Sequence, residues 1–359
     1  MSQAQDRDGQ DSVLNLLSLA YGLGGQYQRA VQLSHQRLTQ LAAYEPDMRH
    51  GEELNNLAYI LMLQGRYHEA TSTFRQALMI RRAAHGVPSG QVARVLHNLG
   101  YLAFKQGRLA RAWRLLMWAL VMRTTLDAPA HGIALTISTL GEIALARGNS
   151  AQAIALFDYG FLLRTHWFAA AHDATAESQY LLACAWLKLG HVDQAEPLLV
   201  EAAHVTRRGL GEQHRQMVFI LTAQARLSLA RNMTTMAQDQ LCAALDIANH
   251  VLGVKHPETL VVWYWIAIVA AQAGEYGRAQ QVLETTYAHQ QELLWHGHYQ
   301  LGETALALAQ VYQNTGKPGQ AHTLLLQVLG DAARAGTTAL PAFIDCTTLL
   351  NVLDTNLQK

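Results

Sequence analysis

Cysteine, proline and charge are all scarce in this chain of 359 residues. Its three cysteines, Cys184, Cys242 and Cys346, are odd in number, far apart and in no CxxC pair. That excludes a disulfide framework and a structural zinc site, and it points to a reducing compartment. Seven prolines and 26 glycines are too few for a low-complexity linker protein. Only 15% of residues are charged, and 27 Lys plus Arg balance 27 Asp plus Glu to a net charge of zero. Without a basic excess, a general nucleic-acid or anionic-membrane binder is not expected. With 50% hydrophobic residues and no net charge, intrinsic disorder is not expected either. The most apolar run, Leu260 to Ala271, is too short to span a bilayer. The N-terminal MSQAQDRDGQDSV lacks the basic and apolar regions of a signal peptide. A soluble, cytoplasmic protein is the expectation.

Catalytic signatures are missing too. The chain has no Walker loop, no GxSxG and no dinucleotide fingerprint after a strand. His68-Glu69 opens like a zincin motif, but Thr71 and Ser72 follow where the second histidine would be needed. Seventeen histidines are scattered, mostly near helix ends and linkers, where a C-terminal position would suit the helix dipole. The densest cluster, Trp295-His296-Gly297-His298-Tyr299, offers two histidines and no third ligand. No metal, cofactor or catalytic residue is therefore expected.

What the chain does have is a repeat. The turn pattern Gly-x-x-x-x-Ala recurs as GQYQRA at 25–30, GRYHEA at 65–70, GRLARA at 107–112 and GNSAQA at 148–153. It continues as GHVDQA at 190–195, NMTTMA at 232–237, GEYGRA at 274–279 and GKPGQA at 316–321. The closing alanines are spaced by 40, 42, 41, 42, 42, 42 and 42 residues. Twelve residues before each stands a small residue (Ser18, Ala58, Gly100, Gly141, Ala183, Ala225, Ala267, Ala309). Four residues after, from the second unit on, comes a bulky apolar one (Phe74, Leu116, Phe157, Leu199, Leu241, Leu283, Leu325). Small residues let two helices approach, bulky ones fill the space between pairs, and the turn glycine supplies a left-handed residue.

This register resembles the tetratricopeptide repeat (TPR) over nearly the whole chain. The period near 42, with segments such as LGVKHPET (252–259) and LGEQHRQM (210–217), is similar to the kinesin-light-chain-like subgroup. The resemblance implies an all-α, right-handed superhelical solenoid of eight helix-turn-helix repeats plus a C-terminal capping helix. The repeats fall at 11–44, 51–84, 93–126, 134–167, 176–209, 218–251, 260–293 and 302–335, with the cap at 340–359 and a disordered tail at 1–10. The cap's apolar stripe is read as Phe343, Ile344, Leu349, Leu350, Val352 and Leu353. No linker divides the array, so one domain is expected. The recurring Arg81, Arg123 and Arg164, eleven residues after their alanines, are read as cations offsetting helix dipoles on the outer surface.

In TPR arrays the first helix of each pair lines a concave groove that binds peptides or protein segments. Register places Asn15, Asn55, Asn56, Tyr59, Arg94, His97, Asn98, Tyr101 and Lys105 on that face, followed by Tyr180, Lys188, Arg226 and Tyr264. Asparagine amides pair with an extended backbone, tyrosines give rigid contact area, and Arg or Lys selects carboxylates or phosphates. Asn56 and Asn98 could instead satisfy groups within the solenoid. The chaperone-binding carboxylate clamp is matched only in part, because Asn15 and Leu19 stand where Lys and Asn would be required. Tyr264 with Trp263 and Trp265 is a second, more apolar anchor, with Trp265 read as packing. The expected function is a protein- or peptide-binding scaffold without catalysis, whose partner has some acidic character. Alternatives are a ligand- or peptide-responsive regulator acting through a partner, and a solenoid enzyme using Tyr101, His97 and Glu142.

Overall fold

The turn residues do what the repeat requires of them. In the computed structural model, which describes residues 13–22, 26–126, 129–167 and 172–357, Gly274 has φ 82° and Asn232, the one substitute for glycine, has φ 60°. Both are left-handed, where glycine is free of strain and asparagine tolerates it next best. The expected tail at 1–10 and the turn residue Gly25 lie outside the described residues.

A first helical stretch, α1 (13–22), precedes α2 (Tyr27–Leu41). Pairs then follow: α3 (Met48–Leu63) with α4 (Tyr67–His85), α5 (Gly90–Lys105) with α6 (Leu109–Thr125), and α7 (Ala130–Ala146) with α8 (Ser150–Trp167). The remainder are α9 (Asp173–Lys188) with α10 (Val192–Leu210), α11 (Arg215–Ala230) with α12 (Thr234–Val251), α13 (Pro257–Gln272) with α14 (Tyr276–Leu293), and α15 (Tyr299–Asn314) with α16 (Pro318–Ala335). The last helix is α17 (Pro341–Leu357). No strand occurs among the described residues, and no helix among them is long and apolar enough to cross a membrane. The chain divides into two compact units, residues 1–105 with 109–139, and residues 106–108 with 140–359. The sequence carried no sign of this division because it falls inside the continuous helix α7.

Packing follows the register. The turn alanines Ala30, Ala70, Ala112, Ala153, Ala195, Ala237, Ala279 and Ala321 are all 0% exposed. The bulky residues four positions later, Phe74 through Leu325, are at most 1% exposed. Gly100 and Gly141 admit close approaches: a Cβ on either would lie 2.7 Å from Leu116 and 2.5 Å from Phe157 respectively.

Three readings need correction. The recurring arginines are not on the outer surface. Arg81, Arg123 and Arg164 are buried, and each reaches back into first helices. Arg81 donates through Nε to the carbonyl of Gly51 (3.2 Å) and also bonds Gln91 on α5. Arg123 donates to the Gly132 carbonyl and Thr136 hydroxyl on α7, and Arg164 to the Ala174 carbonyl (2.9 Å) and Ser178 hydroxyl (2.7 Å) on α9. The same position is buried in every unit, held elsewhere by Leu41, Thr206, Ala248, Gln290 and Ala332. A guanidinium there bridges successive pairs because its long stem packs while its fork reaches backbone carbonyls.

The cap's stripe also differs. Phe343, Cys346, Leu350 and Leu353 are buried against α15 and α16, whereas Ile344 and Val352 are 51% and 49% exposed. The buried set obeys the helical period with Cys346 in place of the two branched residues, and the Cys346 thiol donates to the Gly302 carbonyl (3.4 Å).

Finally, four histidines sit at helix N-termini and not at C-termini. His172, His214, His256 and His298, spaced by 42 residues, each accept on Nδ1 from the backbone N–H two residues on, at 3.1–3.2 Å. Only a neutral imidazole can accept there, and a cation would oppose the helix dipole. Burial first, then the charge of Arg215, holds the His214 imidazole below its usual 6.5, with Asp173 opposing. The unfolded chain therefore takes up protons more readily, and stability is lost as the pH falls below about 6.5. Replacing the cap by His214→Asn, a non-titrating acceptor, should shrink the drop in Tm of the chain between about pH 7 and pH 5. Thermal melts at the two pH values check this, and an unchanged drop would place the pH sensitivity elsewhere.

Candidate functional site

The first unit gathers most of the residues singled out by register. Three successive first helices, α1, α3 and α5, present asparagines that bond to one another in a ladder. Asn98 donates to the Asn55 amide oxygen (2.9 Å), Asn55 to Asn56 (3.3 Å), and Asn56 to Asn15 (2.7 Å). Asn55 and Asn56 are buried, while Asn15 and Asn98, the two ends, are half-buried. The inner two rungs are satisfied within the fold. At the ends, the Asn98 oxygen accepts no bond from a described residue and the Asn15 amide donates none. Each amide has two donors and two acceptor sites, so both ends keep capacity.

Around the ladder stand Tyr59 and Tyr101, both half-buried, with the Lys105 ammonium 5.3 Å from the Tyr101 ring centre. Arg94 lies 3.7 Å from Glu52, with 40% of each side chain exposed, so this pair is weak and solvated. His97 faces inward. It is 4% exposed and bonds the Thr136 hydroxyl (3.3 Å), the same hydroxyl that receives Arg123.

The second unit places Tyr180 and Arg226 at one small cavity of about 80 Å³, with Phe219, Glu258 and Trp265. Tyr180 stacks on Phe219 at 6.2 Å, and the Arg226 guanidinium covers the Trp265 ring at 5.0 Å while donating to the Cys184 sulfur (3.9 Å). Burial pushes the Tyr180 hydroxyl and the Cys184 thiol up, and neighbouring Cys184 raises Tyr180 further. Both stay protonated near neutrality. Lys188 and Tyr264 line a different and larger cavity of about 200 Å³, together with Glu303, Tyr299, Gln310 and Asp345. Glu303 comes from the first helix α15, and Asp345 arrives from α17.

The fold and these surfaces define an all-helical repeat protein whose first helices carry polar and aromatic side chains. Family profiles described as tetratricopeptide repeat match residues 53–124, 175–216 and 302–327, so the chain carries tetratricopeptide repeats in these segments. No curated protein sequence gives a significant match. Among solved structures, a Rap protein complexed with Competence and Sporulation Factor is 10% identical, with 98% of this chain and 99% of that chain covered and a TM-score of 0.64. The Rap conjugation gene regulator of plasmid pLS20, in complex with the Phr* peptide, is 12% identical over 78% and 75%, with a TM-score of 0.61. The TPR-like repeats of a Podosopora anserina kinesin light chain are 23% identical over 58% and 97%, with a TM-score of 0.43.

Proposed function

We propose that this protein is a non-catalytic scaffold that binds an extended peptide segment of a partner protein along the first helices of its first unit. The observation that carries this is the asparagine ladder, which ends in an acceptor at Asn98 and a donor at Asn15 that bond no described residue. An extended backbone offers the complementary N–H and C=O, so such a surface binds main chain without demanding one sequence. Tyr59 and Tyr101 add rigid contact area beside it. Arg94 and Lys105 favour a segment with acidic residues. In the second unit, Tyr180 and Arg226 frame a narrow notch that suits a single side chain. In this reading His97, packed inward on Thr136, supports α5.

A regulatory reading, in which a peptide is the signal and a further protein the output, draws support from the two Rap structures of similar fold. One is complexed with Competence and Sporulation Factor and the other with the Phr* peptide.

Selection of a displayed peptide library on the full chain tests the proposal. Acid-containing extended peptides should be enriched, and Asn98→Ala or Tyr101→Ala should weaken the best of them at least about tenfold, equivalent to roughly 1.4 kcal/mol. Enrichment that survives both substitutions unchanged would refute the ladder as the binding surface.

A further inference from the structure

The second-unit cavity lined by Lys188 and Glu303 holds charges that pair with no described residue. It lies where the end of α7 meets α9, α13, α15 and the start of α17. Pro341 of α17 sits on the turn after α7 so closely that a Cβ on Gly148 would be 2.7 Å from the proline ring. The Glu303 carboxylate, half-buried, and the Lys188 ammonium, exposed at the rim, both line this space, and neither makes a hydrogen bond or ion pair with a described residue. Opposite charges this near would be expected to join, yet they stand beyond ion-pair distance of one another. Burial pushes the Glu303 carboxyl up, while Lys188 and Arg226 pull it down through space. The Tyr264 hydroxyl likewise bonds no described residue.

We propose that this cavity binds a small zwitterion: a molecule with an ammonium and a carboxylate around an apolar body, as in a free α-amino acid or a short peptide. The charge inventory selects the class. An anion alone would meet Lys188 but face Glu303 and Asp345, and a cation alone would gain the carboxylates but be repelled by Lys188. A zwitterion satisfies both, and its ammonium offsets the desolvation that the Glu303 carboxylate otherwise carries. Size agrees, because about 200 Å³ is below the roughly 300–1,000 Å³ of sites for drug-sized ligands. The walls are mixed, with Ile268 and Leu306 available to an apolar side chain. This site is separate from the ladder of the first unit and does not depend on it.

Calorimetric titration of the full chain with L-leucine, L-phenylalanine and the dipeptide Ala-Leu tests the assignment. At least one should bind, and the N-acetyl and C-amide forms of that compound, each lacking one charge, should bind at least tenfold more weakly. Lys188→Met and Glu303→Gln should each weaken binding to a similar degree, whereas Asn98→Ala should not. Binding by the amino acids assigns the free monomer as ligand, and binding by Ala-Leu alone assigns a short peptide. If none of the three binds at millimolar concentration, or if the singly charged derivatives bind as well as the parent, the assignment is wrong.

Discussion

Replacing Glu53 with alanine should destabilise the first unit by about 3–5 kcal/mol, because it strands a buried cation. Arg37 on α2 donates to Glu53 on α3 at 2.6 Å, and the two side chains are 5% and 0% exposed. Arg37 stands seven residues after Ala30, a position that five other repeats fill with Ala77, Ala119, Gly160, Ala202 and Ala244. The pair is enclosed but not saturated: the Arg37 Nε and the Glu53 Oε1 find no partner. Such a pair is weak support for stability as a whole, yet removal of one member is severe. The double substitution Arg37→Met with Glu53→Leu should therefore recover most of the loss. Urea unfolding followed by circular dichroism distinguishes these outcomes. A loss below about 1 kcal/mol, or a double variant no better than Glu53→Ala, would show that water reaches the pair.

An effect of similar size is expected at the contact between Phe157 and Gly141. Phe157 is 1% exposed, and its ring occupies the space over Gly141 where a Cβ would come within 2.5 Å. Phe157→Ala should cost about 3–5 kcal/mol, by lost burial and by the cavity left behind. Gly141→Ala should cost about 1–3 kcal/mol through overpacking. A leucine in place of Phe157 is smaller and leaves room for the Cβ that an alanine at 141 would add. Gly141→Ala combined with Phe157→Leu should thus be less damaging than the two single changes summed, with a coupling of roughly 0.5–3 kcal/mol. Additivity to within about 0.5 kcal/mol would mean that the helices adjust independently of this pair.

The sequence made the helix pairs legible because their alanines, turn glycines and bulky residues obey one spacing, and each is fixed by steric demands within a single unit. The arginines at 81, 123 and 164 were misread since a cation near a helix end has an ordinary solvated role. Their burial depends on where the next pair begins, and α5 and α9 start three residues before the expected 93 and 176. The capping histidines carried a usable signal, a spacing of 42 residues from 172 to 298, that composition alone obscured. The asparagine ladder was half visible: register put its members on one face, but only the structure shows that Asn55 and Asn56 turn to each other. The cavity around Lys188 and Glu303 had no local signature, because Leu145, Tyr264 and Asp345 come from helices far apart in the chain.

The meeting of Pro341 with Gly148 joins residues 193 positions apart (341 − 148). In a linear array each element touches only its neighbours, so loosening can begin at an end and travel inward one pair at a time. Here the last helix is moored to the start of its own unit, and that stepwise route is barred: detaching α17 releases the turn after α7 at the same moment. Loop closure over so long a span also slows formation of the contact relative to the local helix pairs. The second unit thereby gains a latch that closes late in folding and, once closed, makes the stretch between Gly148 and Pro341 respond to strain as one body.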